Sequence, residues 1–292
     1  MGIGILCMLG VCVSWSFVPI VVKLLFPVFD PFTIAFLRTV QGAAVVWAVF
    51  LARGHRLGGM PWSGWHLLGG LGMSLNYSLY ALSLSYTAAS AGVLIVQVQY
   101  VTFAMLAVVV LGERLGAVKI AGMGLVLAGV ALVVGMRADI SEFIAPRYRL
   151  GNVLMLFSGL GWGVYALCNK ALAPRTGTTE ILAPMMSLAT VAIGAVAATQ
   201  FELRSRPTTG TLFALLALGV LGTGCSFILV SEGMKRLSAA LVGAITAMTP
   251  IGQIALAYFF LGEPMSWSLV GGGLLILSGV LGMVYAEKRS AG

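Results

Sequence analysis

The chain has 292 residues, 60% of them hydrophobic and 9% charged, with a mean hydropathy of +1.03. Ordinary soluble domains carry about 25% charged residues, so the expected class is an all-α integral membrane protein rather than a soluble one. The same balance excludes a soluble enzyme, a nucleic-acid binder and a disulfide-stapled secreted domain. The net charge of +8 comes from Lys and Arg scattered through short loops, as membrane orientation requires.

The first apolar run extends from Gly2 to Lys23 with no basic segment ahead of it. It is too long for the core of a cleavable signal and predicts a first span. Along the chain the segments long and apolar enough to cross a bilayer, at about 20 residues each, are 3–25, 31–51, 65–85, 88–111, 117–136, 151–172, 179–200, 211–231, 238–261 and 266–286. Turn chemistry or charge separates them: Phe29-Asp30-Pro31, Arg53-Gly54-His55-Arg56, Gly112-Glu113-Arg114 and Gly262-Glu263-Pro264. Spans three and four part only at small polar residues near Thr87. With the N-terminus inside, nine inner Lys and Arg face five outer ones, Arg137, Arg147, Arg149, Arg204 and Arg206. That bias predicts both termini in the cytoplasm, with a bacterial inner membrane as the site. Cys7, Cys12, Cys168 and Cys225 lie inside apolar segments, with no metal-ligand or framework spacing. No metal and no cofactor is expected.

The chain repeats itself. Leu111-Gly112-Glu113 recurs as Leu261-Gly262-Glu263, Gly122 and Gly129 recur as Gly272 and Gly279, and Trp15 stands before Lys23 as Trp162 stands before Lys170. The expected organisation is a first five-helix repeat over 1–140, a connecting outer loop over 141–150 and a second repeat over 151–292. Five is odd, so the halves enter from opposite sides and form inverted repeats, the plan of many transporters, whose substrate site lies near the midplane between repeats.

Ten spans in two halves, paired Leu-Gly-Glu segments, and Asp30-Pro31-Phe32 with Arg38 seven residues after Pro31 together resemble the drug/metabolite transporter superfamily in its EamA-type branch. Within that branch the chain is most similar to the bacterial exporters of aromatic amino acids, the YddG type. The resemblance covers essentially the whole chain, and it implies a cavity among spans one, three, four, six, eight and nine. The second half has no counterpart of Arg38 in its seventh span.

Polar residues inside spans are costly and mark cavities or helix contacts. The candidate substrate residues are Trp15, Arg38, Asn76, Tyr77, Tyr80, Gln97, Tyr100, Trp162, Tyr165 and Asn169. Aromatic faces with a few amides suit an amphipathic organic solute, and Arg38, deep in span two, could pair with a substrate carboxylate. Trp162→Ala and Tyr80→Ala are expected to lower transport with little loss of folded protein. Lys23 and Lys170 read as cations reaching from span ends to headgroups. Glu113 and Glu263 read as structural, capping or pairing with nearby cations, and Tyr86 and Trp267 as interface residues. Pro19 and Pro250 are candidate hinges. The glycines of spans five and ten read as packing residues, between the halves or in a dimer. No Asp or Glu lies in mid-span, which favours uncoupled facilitated export. The partners implied are the bilayer and a small molecule, aromatic or other neutral amino acids first. The alternatives are a carrier of nucleotide-sugars or phosphorylated metabolites, which wants several deep cations, and a non-transport assembly subunit. A membrane enzyme would need a nucleophile with a base, or a metal cluster, and neither is present.

Overall fold

A computed structural model describes residues 1–56, 62–83, 86, 95–135, 146–252, 256 and 267–291. They form the helices α1 (Gly2–Leu25), α2 (Pro31–Ala52), α3 (Gly64–Ser83), α4 (Val98–Leu111), α5 (Ala117–Gly135), α6 (Pro146–Leu172), α7 (Thr178–Gln200), α8 (Thr209–Gly219), α9 (Ser226–Met234), α10 (Ala239–Thr246) and α11 (Trp267–Ala291). A π-helical turn, Val220–Cys225, fuses α8 and α9 into one rod. Among the described residues the only β-type pairing is a single bridge between Phe29 and Leu203. Among the described residues six helices are long and apolar enough to cross a membrane, and Val98–Leu111, Ala117–Leu132 and Ala239–Gly252 are shorter apolar helices. The chain is therefore an all-α, multi-pass membrane protein, since only helices with internally satisfied backbone cross hydrocarbon in this form. The helix of span six begins at Pro146, five residues before the apolar run read from the sequence, because Pro146 opens it ahead of basic residues that depress the hydropathy.

Local chemistry fixes the helix ends. Asp30 caps α2: its Oδ1 accepts the Phe32 and Thr33 amides at 2.9 and 3.0 Å, and Pro31 fills the first helical position. Its other oxygen takes the Thr33 hydroxyl and the Glu202 amide, which ties the α1–α2 turn to the α7–α8 connection. Gly112 ends α4 at φ +68°, a left-handed conformation that a side chain would strain. In α7, the Glu180 carboxylate accepts the Gly177 amide at 2.7 Å.

The helices pack through close backbone contacts at glycine. A Cβ on Gly72 would lie 2.7 Å from the Gly161 carbonyl, so α3 and α6 meet with no room for side chains. On α5 and α11, Gly122 lies against Gly279 and Gly129 against Gly272. The rising and falling numbers make these two helices antiparallel. Their glycines serve packing inside the chain, which resolves the choice between the halves and a dimer for these four.

Several sequence features lie outside the described residues: the start of span four, the end of span nine with Gly262, Glu263 and Pro264, the loop over 141–145, and Arg137. The helix backbone runs through 19 and 23, but the Pro19 and Lys23 side chains also lie outside them.

Candidate functional site

A cavity of about 140 Å³ opens among α1, α2, α3, α6, α9 and the segments that flank the breaks in two helices. Its wall includes eight of the ten candidate residues: Trp15, Arg38, Asn76, Tyr77, Tyr80, Gln97, Tyr100 and Trp162, with Pro250 beside them. Tyr165 and Asn169 are not on the wall. Asn169 is fully buried, donating to the Tyr165 hydroxyl at 2.9 Å and accepting from Ser231 at 3.0 Å, so the pair is a link between α6 and α9.

The aromatic wall is a connected cluster. The Trp162 ring stands edge-on to Tyr100 at 5.4 Å, to Phe103 at 6.0 Å and to Trp15 at 6.5 Å. Phe227 joins Trp15 at 6.1 Å and Tyr77 at 6.2 Å. Edge-to-face pairs of this spacing stabilise one another beyond simple burial. Trp162 is only 4% exposed, so Trp162→Ala would remove core packing of about 3–5 kcal/mol. The expectation that this truncation spares folding is therefore withdrawn for Trp162. It stands for Tyr80, which is half-buried.

Arg38 lies at one side of the cavity and is 9% exposed. Its Nε donates to Thr223 Oγ1 at 3.1 Å and its Nη2 to the Tyr77 hydroxyl at 3.5 Å, while the guanidinium carbon sits 4.8 Å over the Tyr77 ring. Thr223 belongs to the π-helical turn, and its own hydroxyl donates to the Leu218 carbonyl at 3.1 Å. The wide turn thus aims an acceptor at Arg38, in keeping with the frequent placement of π-turns at functional sites. No carboxylate among the described residues pairs with Arg38.

Two helices break beside the cavity. The chain turns at 96–97 before α4 and again at 247–248 after α10, about 150 residues apart. Pro250 explains the second break, since it cannot donate to the Thr246 carbonyl. That carbonyl accepts the Thr249 hydroxyl instead, at 2.6 Å. Interrupted helices at corresponding positions of two halves are a mark of transporter binding sites. The first break has no proline and left no sequence signal. Phe227 is not among the sequence candidates, yet the offset that pairs Gly122 with Gly272 carries Tyr77 onto Phe227.

The remaining candidates stand elsewhere. Lys170 does not reach for headgroups: its Nζ pairs with Glu113 at 3.0 Å and donates to the Met234 and Leu237 carbonyls. Glu113 also accepts the Ala239 amide at 2.9 Å, at the start of α10. Trp267 and Tyr86 are exposed, as interface residues would be.

A multi-pass α-helical protein with broken helices around an aromatic cavity has the architecture of a membrane transporter, and comparison with known proteins agrees. The sequence model of the EamA-like transporter family matches residues 2–135 and again 149–285. The chain belongs to that family. It is 32% identical over 224 residues to the aromatic amino acid exporter YddG of Ancylobacter novellus, covering 76% of each chain. It is 27% identical to an uncharacterized transporter of Archaeoglobus fulgidus, over 91% of this chain and 92% of that one. A probable terminal-alkyne amino-acid exporter of Streptantibioticus cattleyicolor is 28% identical over 77% of this chain and 73% of its own. A solved crystal structure superposes with a TM-score of 0.84 at 26% identity, covering 98% of each chain.

Proposed function

We propose that this protein exports small amphipathic metabolites, aromatic and other neutral amino acids foremost, through the central cavity by alternating access. The observation that carries the reading is the cavity wall itself: a cage of aromatic rings with Arg38 at its edge. Its volume of about 140 Å³ is close to the ~150 Å³ of an engineered cavity that takes up benzene. A single aromatic ring therefore fits, whereas a nucleotide-sugar does not, and one deep cation is too few for its phosphates. Two relatives named as exporters of amino acids support the same reading.

The halves act as inverted five-helix repeats, over 1–140 and 151–292, about a pseudo-two-fold axis in the membrane plane. The double family match supports this. So does the exchange of partners on α5 and α11, where Gly122 meets the repeat-mate of Gly129 and Gly129 meets the repeat-mate of Gly122. A two-fold axis produces that exchange. Both termini are cytoplasmic, and the protein works in a bacterial inner membrane. Pro250 and Pro19 are the hinges. Transport is uncoupled, in line with a described cavity wall that carries no carboxylate.

The test is efflux from liposomes containing the purified protein and loaded with labelled phenylalanine, tryptophan or a neutral non-aromatic amino acid, with and without a pH gradient. The expected result is efflux that prefers the aromatic amino acids and ignores the gradient. Absence of efflux for all three would overturn the amino-acid assignment.

A further inference from the structure

We infer that the cavity recognises its cargo by the carboxylate alone, and that aromatic monocarboxylates lacking an amine are bound more tightly than the matching amino acids. The inference rests on the aromatic-cargo reading above and sharpens it.

The argument is one of charge balance. Arg38 is nine-tenths buried, and no carboxylate among the described residues pairs with it. Nε and Nη2 are engaged by neutral hydroxyls, and nothing among the described residues bonds Nη1. The six described carboxylates are all committed elsewhere. Asp30 holds the start of α2, Glu113 holds Lys170, Glu180 holds the Gly177 amide, Glu202 holds Arg204, Glu232 holds Arg236 and Glu287 holds Lys119. An anion entering the cavity neutralises a buried guanidinium and gains a charge-assisted hydrogen bond. A zwitterion gains the same bond, but it also brings an ammonium into a low-dielectric site whose described wall has no negative partner. The aromatic faces can offset part of that cost by cation–π attraction, but Tyr77, the ring nearest the charge, already faces Arg38. An amine without a carboxylate meets the Arg38 cation with no anion to offset it, and has only the aromatic faces to attract it.

The probes are phenylalanine, 3-phenylpropionate and phenethylamine, titrated against the purified full chain in detergent. Quenching of the tryptophans reports binding, since Trp15 and Trp162 line the cavity. We expect 3-phenylpropionate to bind at least threefold more tightly than phenylalanine, and phenethylamine to be the weakest. Arg38→Gln should lower 3-phenylpropionate affinity at least tenfold and remove its advantage, while Arg38→Lys keeps the order with weaker binding. Melting temperature and gel filtration check that both variants fold. Should Arg38→Gln fail to fold, the ranking of the three probes on the unmodified protein decides alone. A preference below threefold, or the reverse order, overturns the inference and leaves the amino-acid exporter reading standing. Binding of none of the three, together with no efflux in liposomes, removes both.

Discussion

Two regions treat buried cations in opposite ways. Where α4, α6 and α11 end, Lys170 meets Glu113 and two backbone carbonyls, and Lys119 meets Glu287 at 2.6 Å. Glu287 in turn accepts the amide and hydroxyl of Ser238, the residue that caps α10. Each of these four charges has a protein partner, and the result is a knot that joins elements of both halves. At the central cavity, Arg38 is as deeply buried, yet its neighbours are two hydroxyls and an aromatic face. A paired buried charge holds structure, and removing its partner strands the other ion. One with no carboxylate partner among the described residues keeps hydrogen-bonding capacity that an anionic ligand can take up. The difference separates framework from binding site without reference to residue type.

The comparison can be broken most directly at Arg38. Arg38→Gln should reduce transport at least tenfold, equivalent to about 1.4 kcal/mol. Its melting temperature should hold or rise, because an unmatched cation leaves the membrane interior. A melting temperature that fell along with transport would place Arg38 in the framework instead. The opposite pattern is expected at Glu113. Glu113→Gln leaves Lys170, whose side chain is 14% exposed, without a counter-ion. The cost should be about 1–3 kcal/mol, between that of an exposed pair and that of a fully buried one. Adding Lys170→Met should recover part of the loss, since the two residues share one interaction. Thermal melts of the single and double variants make the measurement.

Asp30 sharpens the comparison at smaller scale, as a carboxylate committed to backbone rather than to a cation. Burial pushes its carboxyl pKa up from the ordinary 3.8, but the Thr33 hydroxyl and the amides of Thr33, Glu202 and Phe32 outweigh that, so it lies below 3.8. A lowered folded value means stability that is present above about pH 4 and is lost as pH falls through the folded pKa. Asp30→Asn should cost about 1 kcal/mol at neutral pH, because the amide nitrogen of Asn cannot accept the Thr33 hydroxyl and Glu202 amide that the second carboxylate oxygen holds. The loss relative to the unmodified protein should narrow below pH 4 in melts taken between pH 3 and pH 7. A difference that stays constant over that range would remove the capping carboxylate as its cause.

Much of this architecture was legible in the sequence, because it follows from periodic and compositional signals. Charge scarcity gave the membrane class, and the spacing of Gly122 and Gly129 matched that of Gly272 and Gly279 before any contact was known. The aromatic and amide candidates reached the cavity wall where the helix face alone decides direction. Tyr165 and Asn169 show the limit of that logic, since an amide four residues from a tyrosine can bond that tyrosine as readily as a solute. Lys170 shows another. Its partner lies 57 residues earlier on a different helix end, and no local pattern encodes that meeting. The π-helical turn that orients Thr223 toward Arg38 is likewise set by tertiary packing. There Gly42 and Gly224 allow α2 to approach, and a Cβ on Gly224 would lie 2.6 Å from Val45.

The smallest effect is expected at Arg204, which supplies the comparison with its baseline. Arg204 and Glu202 also form an ion pair, at 3.1 Å, but their side chains are 41% and 63% exposed. Water screens such a pair, and ordering two long side chains offsets most of its attraction. Arg204 also donates to the Phe26 carbonyl at 3.3 Å, again at the surface. Arg204→Gln should therefore shift stability by less than about 0.5 kcal/mol, with transport unchanged, in the same melts and liposomes used for Glu113→Gln. A loss as large as that of Glu113→Gln would mean that exposure does not govern the strength of ion pairs here. The contrast between the Lys170 knot and the solitary Arg38 would then have to rest on something other than burial.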